Sequence, residues 1–137
     1  MNNVERLIRN VRSSRKRTAI IYCQESFRPI IEKLEVNIDN LKIFDCIELC
    51  TDTLTFSASE LLNKLEYFTN SNSTIVLNFE TLIVSNSKDF CDQLARLLTI
   101  REPLNPLFFL FYSKKLFCEF KNHYESKELN RYNILEI

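Results

Sequence analysis

The sequence predicts a three-layer α/β/α domain with a mostly parallel sheet of about five strands. Two observations predict this fold. Short segments that are apolar along their whole length, as strands buried on both faces are, alternate with segments whose apolar residues recur at helical spacing. The length of 137 residues fits one domain, so we assign 1–137 to a single unit.

The first part of the chain predicts a leading helix, two strands and a connecting helix. Residues 3–13 place four apolar side chains on one face of a helix. They belong to a predicted basic N-terminal helix over residues 1–17. Residues 18–23 (TAIIYC) predict the first strand, and residues 42–50 (KIFDCIELC) predict the second. Between them, Pro29 marks a helix start, because its missing N–H has no partner in the first turn.

The middle and last parts predict three more strands. Ser57 and Glu60 form a capping box that opens a helix. The predicted third, fourth and fifth strands are 74–84 (TIVLNFETLIV), 107–112 (LFFLFY) and 132–137 (YNILEI).

Two helices separate these strands. Ser87 is expected to cap the first, with Asp89 and Asp92 in its first turn, and Pro103 and Pro106 follow its end. Its expected inner face is Phe90, Leu94, Leu97 and Leu98. The apolar residues of the second, a short helix, are Leu116, Phe117 and Phe120.

The chain contains no glycine, although average usage is roughly 7%. Glycine adopts φ > 0 at little cost and lets a backbone approach a phosphate closely. The GxxxxGK[ST] phosphate loop and the GxGxxG dinucleotide turn both require it. The sequence therefore excludes both loops, and we expect no nucleotide and no other cofactor.

Charge is distributed unevenly along a chain of zero formal net charge. Residues 1–18 contain a single acidic residue, Glu5, and six basic ones. The basic residues are Arg6, Arg9, Arg12, Arg15, Lys16 and Arg17. This asymmetry favours a polyanionic or acidic partner, and it supports the alternative of a nucleic-acid-binding accessory protein.

The cysteines predict reduced thiols in a cytoplasmic protein. Their number is five, there is no CxxC pair, and no secretory signal precedes them. Cys46 and Cys50 lie four apart and His123 is the single histidine, so a metal site is not expected. No apolar run reaches the ~20 residues that span a membrane, so we expect no membrane contact.

A Cys-x4-Arg sequence follows the first strand and resembles the rhodanese sulfurtransferase loop. The resemblance implies Cys23 as a thiolate nucleophile and Arg28 as the contact of a bound anion. The loop departs from the family at Ser26, where the family has glycine, and at Glu25, which adds negative charge. The alternative is a strand-end cysteine that precedes a helix.

Residues 75–80 (IVLNFE) resemble the Walker B strand of P-loop ATPases. In that family an Asp holds Mg²⁺ and a following Glu orients the attacking water. Here Asn78 takes the nearest Asp position and Glu80 is displaced by one residue, and an Asn has no charge with which to hold the metal. The resemblance implies that Ser113, after the fourth strand, takes the part of the polar sensor residue, and the alternative there is a solvated helix start. The alternative is a buried strand that leads into a polar loop.

The order of elements resembles a reduced AAA+ or RecA-like core that lacks Walker A. The stretch VLNFETLIVSNSKDFCDQLARLL and the ending LNRYNILEI are similar to small P-loop proteins encoded in bacterial BREX phage-defence clusters. The resemblance implies a non-catalytic relative, retained for its surfaces in an assembly that acts in phage defence.

Three hypotheses follow. We favour a non-enzymatic interaction module that binds a protein partner in a hetero- or homo-oligomeric complex. The first alternative is the nucleic-acid-binding accessory protein, and the second is a Cys23-dependent rhodanese-like enzyme.

Overall fold

The computed structural model describes residues 3–49, 57–86, 88–127, 129 and 131–137. It confirms the predicted α/β architecture, and all five strands of its sheet are parallel. The strands are β1 (Thr18–Tyr22), β2 (Leu41–Asp45), β3 (Ser73–Leu77), β4 (Leu107–Phe111) and β5 (Ile134–Glu136). Their order across the sheet is β2-β3-β4-β1-β5.

Helices cover both faces of this sheet. They are α1 (Asn3–Ser13), α2 (Arg28–Asn37), α3 (Cys46–Leu49), α4 (Ala58–Thr69), α5 (Phe79–Ser85), α6 (Phe90–Ile100) and α7 (Lys114–Ser126). A 3₁₀ turn at Arg131–Asn133 leads into β5. None of the described helices is long and apolar enough to cross a membrane.

Alternation along β4 divides the core into two clusters, one on each face of the sheet. Phe109 and Phe111 point to the face covered by α4, α5, α6 and α7, where they join an aromatic cluster centred on Phe79. Phe108 and Leu110 point to the opposite face, which is covered by α1 and α2. Strands buried on both faces explain why the sequence of β4 is apolar throughout.

Two predicted strands are shorter than expected, because each gives way to a helix. The predicted strand 42–50 ends at Asp45, whose Oδ1 accepts a hydrogen bond from the Ile47 amide at 2.9 Å and so begins α3. Cys50 lies outside the described residues. The predicted strand 74–84 ends at Leu77, and the segment after Asn78 forms α5.

Other boundaries also differ from the prediction. The basic helix ends at Ser13 and not at residue 17, and Arg17 has a positive φ of 46°. The predicted short helix is α7, which has 13 residues. The last strand is limited to Ile134–Glu136.

The helix starts follow local chemistry. Ser57 Oγ accepts a hydrogen bond from the Glu60 amide at 3.1 Å, which confirms the predicted cap of α4. Ser113 Oγ caps α7 in the same way by accepting from the Leu116 amide at 3.3 Å. Ser87, the predicted cap of α6, lies outside the described residues.

Candidate functional site

The chain connections that leave the neighbouring strands β1 and β4 run to opposite faces of the sheet, which places a switch point between these two strands. The connection from β1 runs over the α2 face, whereas the connection from the neighbouring β4 runs through α7 on the opposite face. Ligands of open α/β sheets bind at the carboxyl ends of strands that flank such a point. This edge therefore holds the candidate site.

Four of the five predicted site residues outside the basic segment follow strands at this edge. Cys23 follows β1, Asn78 and Glu80 follow β3, and Ser113 follows β4. The fifth, Arg28, is the first residue of α2.

Glu80 links the end of β3 to the end of β4. Its Oε2 accepts hydrogen bonds from the amides of Tyr112, at 3.0 Å, and Ser113, at 2.6 Å. The residue is only 2% exposed, and its buried Oε1 has no hydrogen-bond partner among the described residues. Burial raises the pKa of the Glu80 carboxyl, and the two backbone hydrogen bonds oppose that shift.

These contacts fill a position that an anionic ligand would otherwise occupy. Exposed backbone amides at the start of a helix are a ready anion site. At the start of α7 the Tyr112 and Ser113 amides already donate to the Glu80 carboxylate. The Glu80 side chain therefore occupies this position itself.

Asn78 performs a structural task at the neighbouring strand ends. It has φ 58° and ψ 27°, the left-handed conformation that Asn adopts more readily than other non-glycine residues. Its Nδ2 donates to Asp45 Oδ1 at 2.8 Å, which joins the ends of β3 and β2. In a chain without glycine, this Asn makes the sharp turn from β3 into α5.

The structure does not bring Cys23 and Arg28 into a rhodanese-like arrangement. The Cys23 thiol is buried and donates to the Ser26 carbonyl at 3.1 Å. Arg28 Nε donates to Glu32 Oε1 at 3.2 Å, one turn further along α2, from a side chain that is 86% exposed. The loop between β1 and α2 has no residue of positive φ, so it lacks the left-handed turns that aim successive amides at one anion.

The basic segment divides into two groups. Arg6, Arg9 and Arg12 are exposed along α1, and Arg12 donates to the Asn37 carbonyl at 3.2 Å. Arg9 and Arg12 line an open cleft of about 470 Å³ between α1 and the end of α2.

The second basic group is bound to the connection between α6 and β4. Arg15 pairs with Glu102 at 2.9 Å, and Lys16 contacts both Glu102 and the Thr99 carbonyl. Arg17 donates to the Pro103 carbonyl at 3.0 Å. These three side chains anchor β1 to its neighbouring loop.

A cleft between α5 and the start of α7 was missed from the sequence. It encloses about 260 Å³, and Glu80 forms part of its wall. Val84 and Tyr112, which are 72% and 53% exposed, line it together with Leu116. The helical register of α5 exposes Val84, whereas the predicted strand 74–84 does not indicate this exposure.

The apolar surface continues from this cleft toward α2. The Tyr112 ring lies 6.2 Å, centroid to centroid, from the ring of Phe27 in the loop after β1. We call this surface the edge patch. It consists of Phe27, Val84, Tyr112 and Leu116.

None of the four described cysteines, Cys23, Cys46, Cys91 and Cys118, forms a disulfide. Within the described ranges, no group of three or more His, Cys, Asp or Glu residues is arranged to hold a metal ion. In comparisons with known proteins, no family model, curated protein or solved structure matches this chain.

Proposed function

We propose that this protein is a non-catalytic interaction module, in which the carboxyl edge of a P-loop-like sheet binds a protein partner in place of a nucleotide. The edge patch is the observation that carries the proposal. It presents exposed apolar side chains, Val84 and Tyr112 above all, at the edge where folds of this class bind their ligands.

The strand order supports the P-loop-like part of the proposal. β1 lies between β4 and β5, and β3 lies beyond β4. This order differs from the flavodoxin-like order 2-1-3-4-5, which is an alternative to a P-loop-like core. An antiviral-defence assembly is the setting that the resemblance to BREX-encoded proteins favours.

We propose no nucleotide binding, and the hydrogen bonds at the strand ends support this part of the proposal. A phosphate needs several free amides that converge on one point. The Cys23 amide donates to the Phe111 carbonyl at 3.0 Å, and Glu80 occupies the amides of Tyr112 and Ser113. We expect titration with Mg·ATP to give no heat of binding and no increase in the thermal midpoint.

Affinity capture from the native host tests the partner part of the proposal. Val84→Asp places a charge in the edge patch, and Val36→Asp is its matched control, because Val36 is 84% exposed near the end of α2. We expect a stoichiometric protein partner that survives high salt and nuclease, is retained by V36D and is lost by V84D. Equal capture by V84D and V36D would rule out the edge patch as the binding surface.

A nucleic-acid-binding accessory role is the second candidate, and the exposed Arg6, Arg9 and Arg12 favour it. If these three contact phosphates, the slope of log K against log salt for duplex DNA should be about −3. Replacing all three by Gln should remove that slope, whereas replacing the exposed Arg28 and Arg96 should leave it unchanged. Affinity for DNA that does not depend on salt would exclude this role.

A further inference from the structure

We infer that the cleft between α5 and α7 receives a cationic side chain, an Arg or a Lys of the protein partner, with Glu80 as the counter-ion. The inference deepens the proposed function and rests on it. It names the chemistry that the partner presents at the edge patch.

Within the described residues, Glu80 has no positively charged partner. Among the described residues this carboxylate has no ion pair, and its Oε1 has no hydrogen-bond partner. The nearby Lys114 is engaged elsewhere, since it pairs with Glu136 and lies over the Tyr22 ring at 5.1 Å from the centroid. Burying an ion without a full set of partners costs free energy, so binding of a cation next to such an ion is favourable.

The position of that carboxylate makes its charge effective in the cleft. Glu80 forms part of the cleft wall, and the wall excludes water from Oε1. A charge that is shielded from water acts on its surroundings with less screening than a surface carboxylate does. The Glu80 carboxylate therefore contributes negative potential to the cleft, although its side chain does not project into solvent.

The lining of the cleft complements a long basic side chain. Val84 and Leu116 offer apolar surface to the methylene stem of a long basic side chain. The Tyr112 ring is available for a cation–π contact. The hydroxyl groups of Thr81 and Ser85 can accept hydrogen bonds from ammonium or guanidinium N–H groups. Stem and head group of a basic side chain thus both find complementary surface.

Titration with n-butylguanidinium tests the inference, with uncharged n-butylurea as the isosteric control. The readout is the ¹⁵N shift of the Tyr112 and Ser113 amides, which bond to Glu80. For a probe of this size we expect a Kd on the order of 1 mM. We expect n-butylurea to bind at least about tenfold more weakly, because it lacks the charge.

Two Glu variants separate the site from the general charge of the surface. Glu80→Gln keeps an oxygen that can accept hydrogen bonds from both amides. The substitution should raise the Kd for n-butylguanidinium by about tenfold or more. Glu119→Gln is the control, because Glu119 is exposed in the neighbouring cleft. It should leave the Kd unchanged. Equal binding of the two probes, a Glu80→Gln variant that binds as wild type, or no saturable shift would each overturn the inference.

A further pair of variants keeps the test decisive if Glu80→Gln does not fold. Val84→Lys tethers an ammonium group at the cleft, and it should abolish binding of n-butylguanidinium and raise the thermal midpoint above that of Val36→Lys. A Val84→Lys variant that binds the probe as wild type would overturn the inference. If n-butylguanidinium does not bind but capture of the partner still depends on Val84, the cation site is refuted and the proposed interaction module is not. If V84D captures the partner as V36D does, the proposed function itself is refuted.

Discussion

The substitution Glu80→Gln should change how the stability of this protein depends on pH. The Glu80 carboxyl is 2% exposed, and burial raises its pKa above the ordinary value of 4.5. A carboxyl whose pKa is higher in the folded state than in the unfolded state binds its proton more tightly when folded. Its contribution to stability is therefore complete below pH 4.5 and decreases as pH rises through the raised pKa.

The size of the effect has an upper limit. One group contributes at most about 1.4 kcal/mol per pH unit, so Glu80 can remove roughly 3 kcal/mol at most between pH 5 and pH 7. The amides of Tyr112 and Ser113 stabilise the ionised form and reduce the loss below that limit. Gln does not titrate, so the free energy of unfolding of the variant should rise relative to wild type as pH increases.

Urea unfolding from pH 5 to pH 8 measures this difference directly. The range lies above the titration of Asp92, whose pKa is lowered, first of all by its hydrogen bond from Lys127. The Asp92 contribution is present above pH 3.8 and is lost only as pH falls, so it stays constant here. Glu119→Gln, an exposed control, should follow wild type. Parallel curves for wild type and Glu80→Gln would refute the account of Glu80 as a buried, incompletely paired carboxyl.

Three further predictions concern packing, backbone and thiol chemistry. Phe79 contacts four other aromatic rings at centroid distances of 5.0–6.0 Å, so Phe79→Ala should lower the free energy of unfolding in urea by about 3–5 kcal/mol. The control Tyr67→Ala, at a residue that is 83% exposed, should change it by less than about 0.5 kcal/mol, and similar losses in both would contradict the core assignment. In the same assay, Asn78→Gly should be more stable than Asn78→Ala by roughly 1 kcal/mol, because glycine adopts the left-handed conformation without strain. A more stable Asn78→Ala variant would exclude the φ of 58° at Asn78. Burial raises the pKa of the Cys91 thiol to about 12. Iodoacetamide at pH 8 should therefore alkylate Cys91 far more slowly than the partly exposed Cys118, as measured by mass spectrometry. Equal alkylation rates would show that Cys91 is not buried.

The layer architecture and most of the helices could be predicted because their signals are local. The cap at Ser57, the helical spacing in α1 and the apolar run of β4 are each contained in a short window of sequence. The confirmed elements are those in which local pattern and final burial agree.

The errors lie where one apolar run serves two elements. Residues 74–84 are apolar along most of their length because β3 and the buried face of α5 follow one another with only Asn78 between them. Periodicity cannot divide such a run. The deciding event is the left-handed turn at Asn78, which a hydrogen bond to Asp45, 33 residues earlier, supports.

The candidate site was predicted only in part, for the same reason. The polar residues at strand ends were identified because parallel strands bring their carboxyl ends together. The role of Glu80 depends on the amides of Tyr112 and Ser113, which lie 32 and 33 residues away, and no local pattern reports such a contact. The engagement of Arg15, Lys16 and Arg17 by the loop before β4 is equally non-local.

Photo-crosslinking in the native host tests the central claim most directly. A photoreactive phenylalanine at position 112 lies in the edge patch, and the same residue at position 67 replaces an equally aromatic, exposed side chain on α4. We expect one dominant protein adduct from position 112 and none from position 67. Adducts of equal yield from both positions, or an adduct from position 67 alone, would contradict the edge patch as the surface that binds the partner.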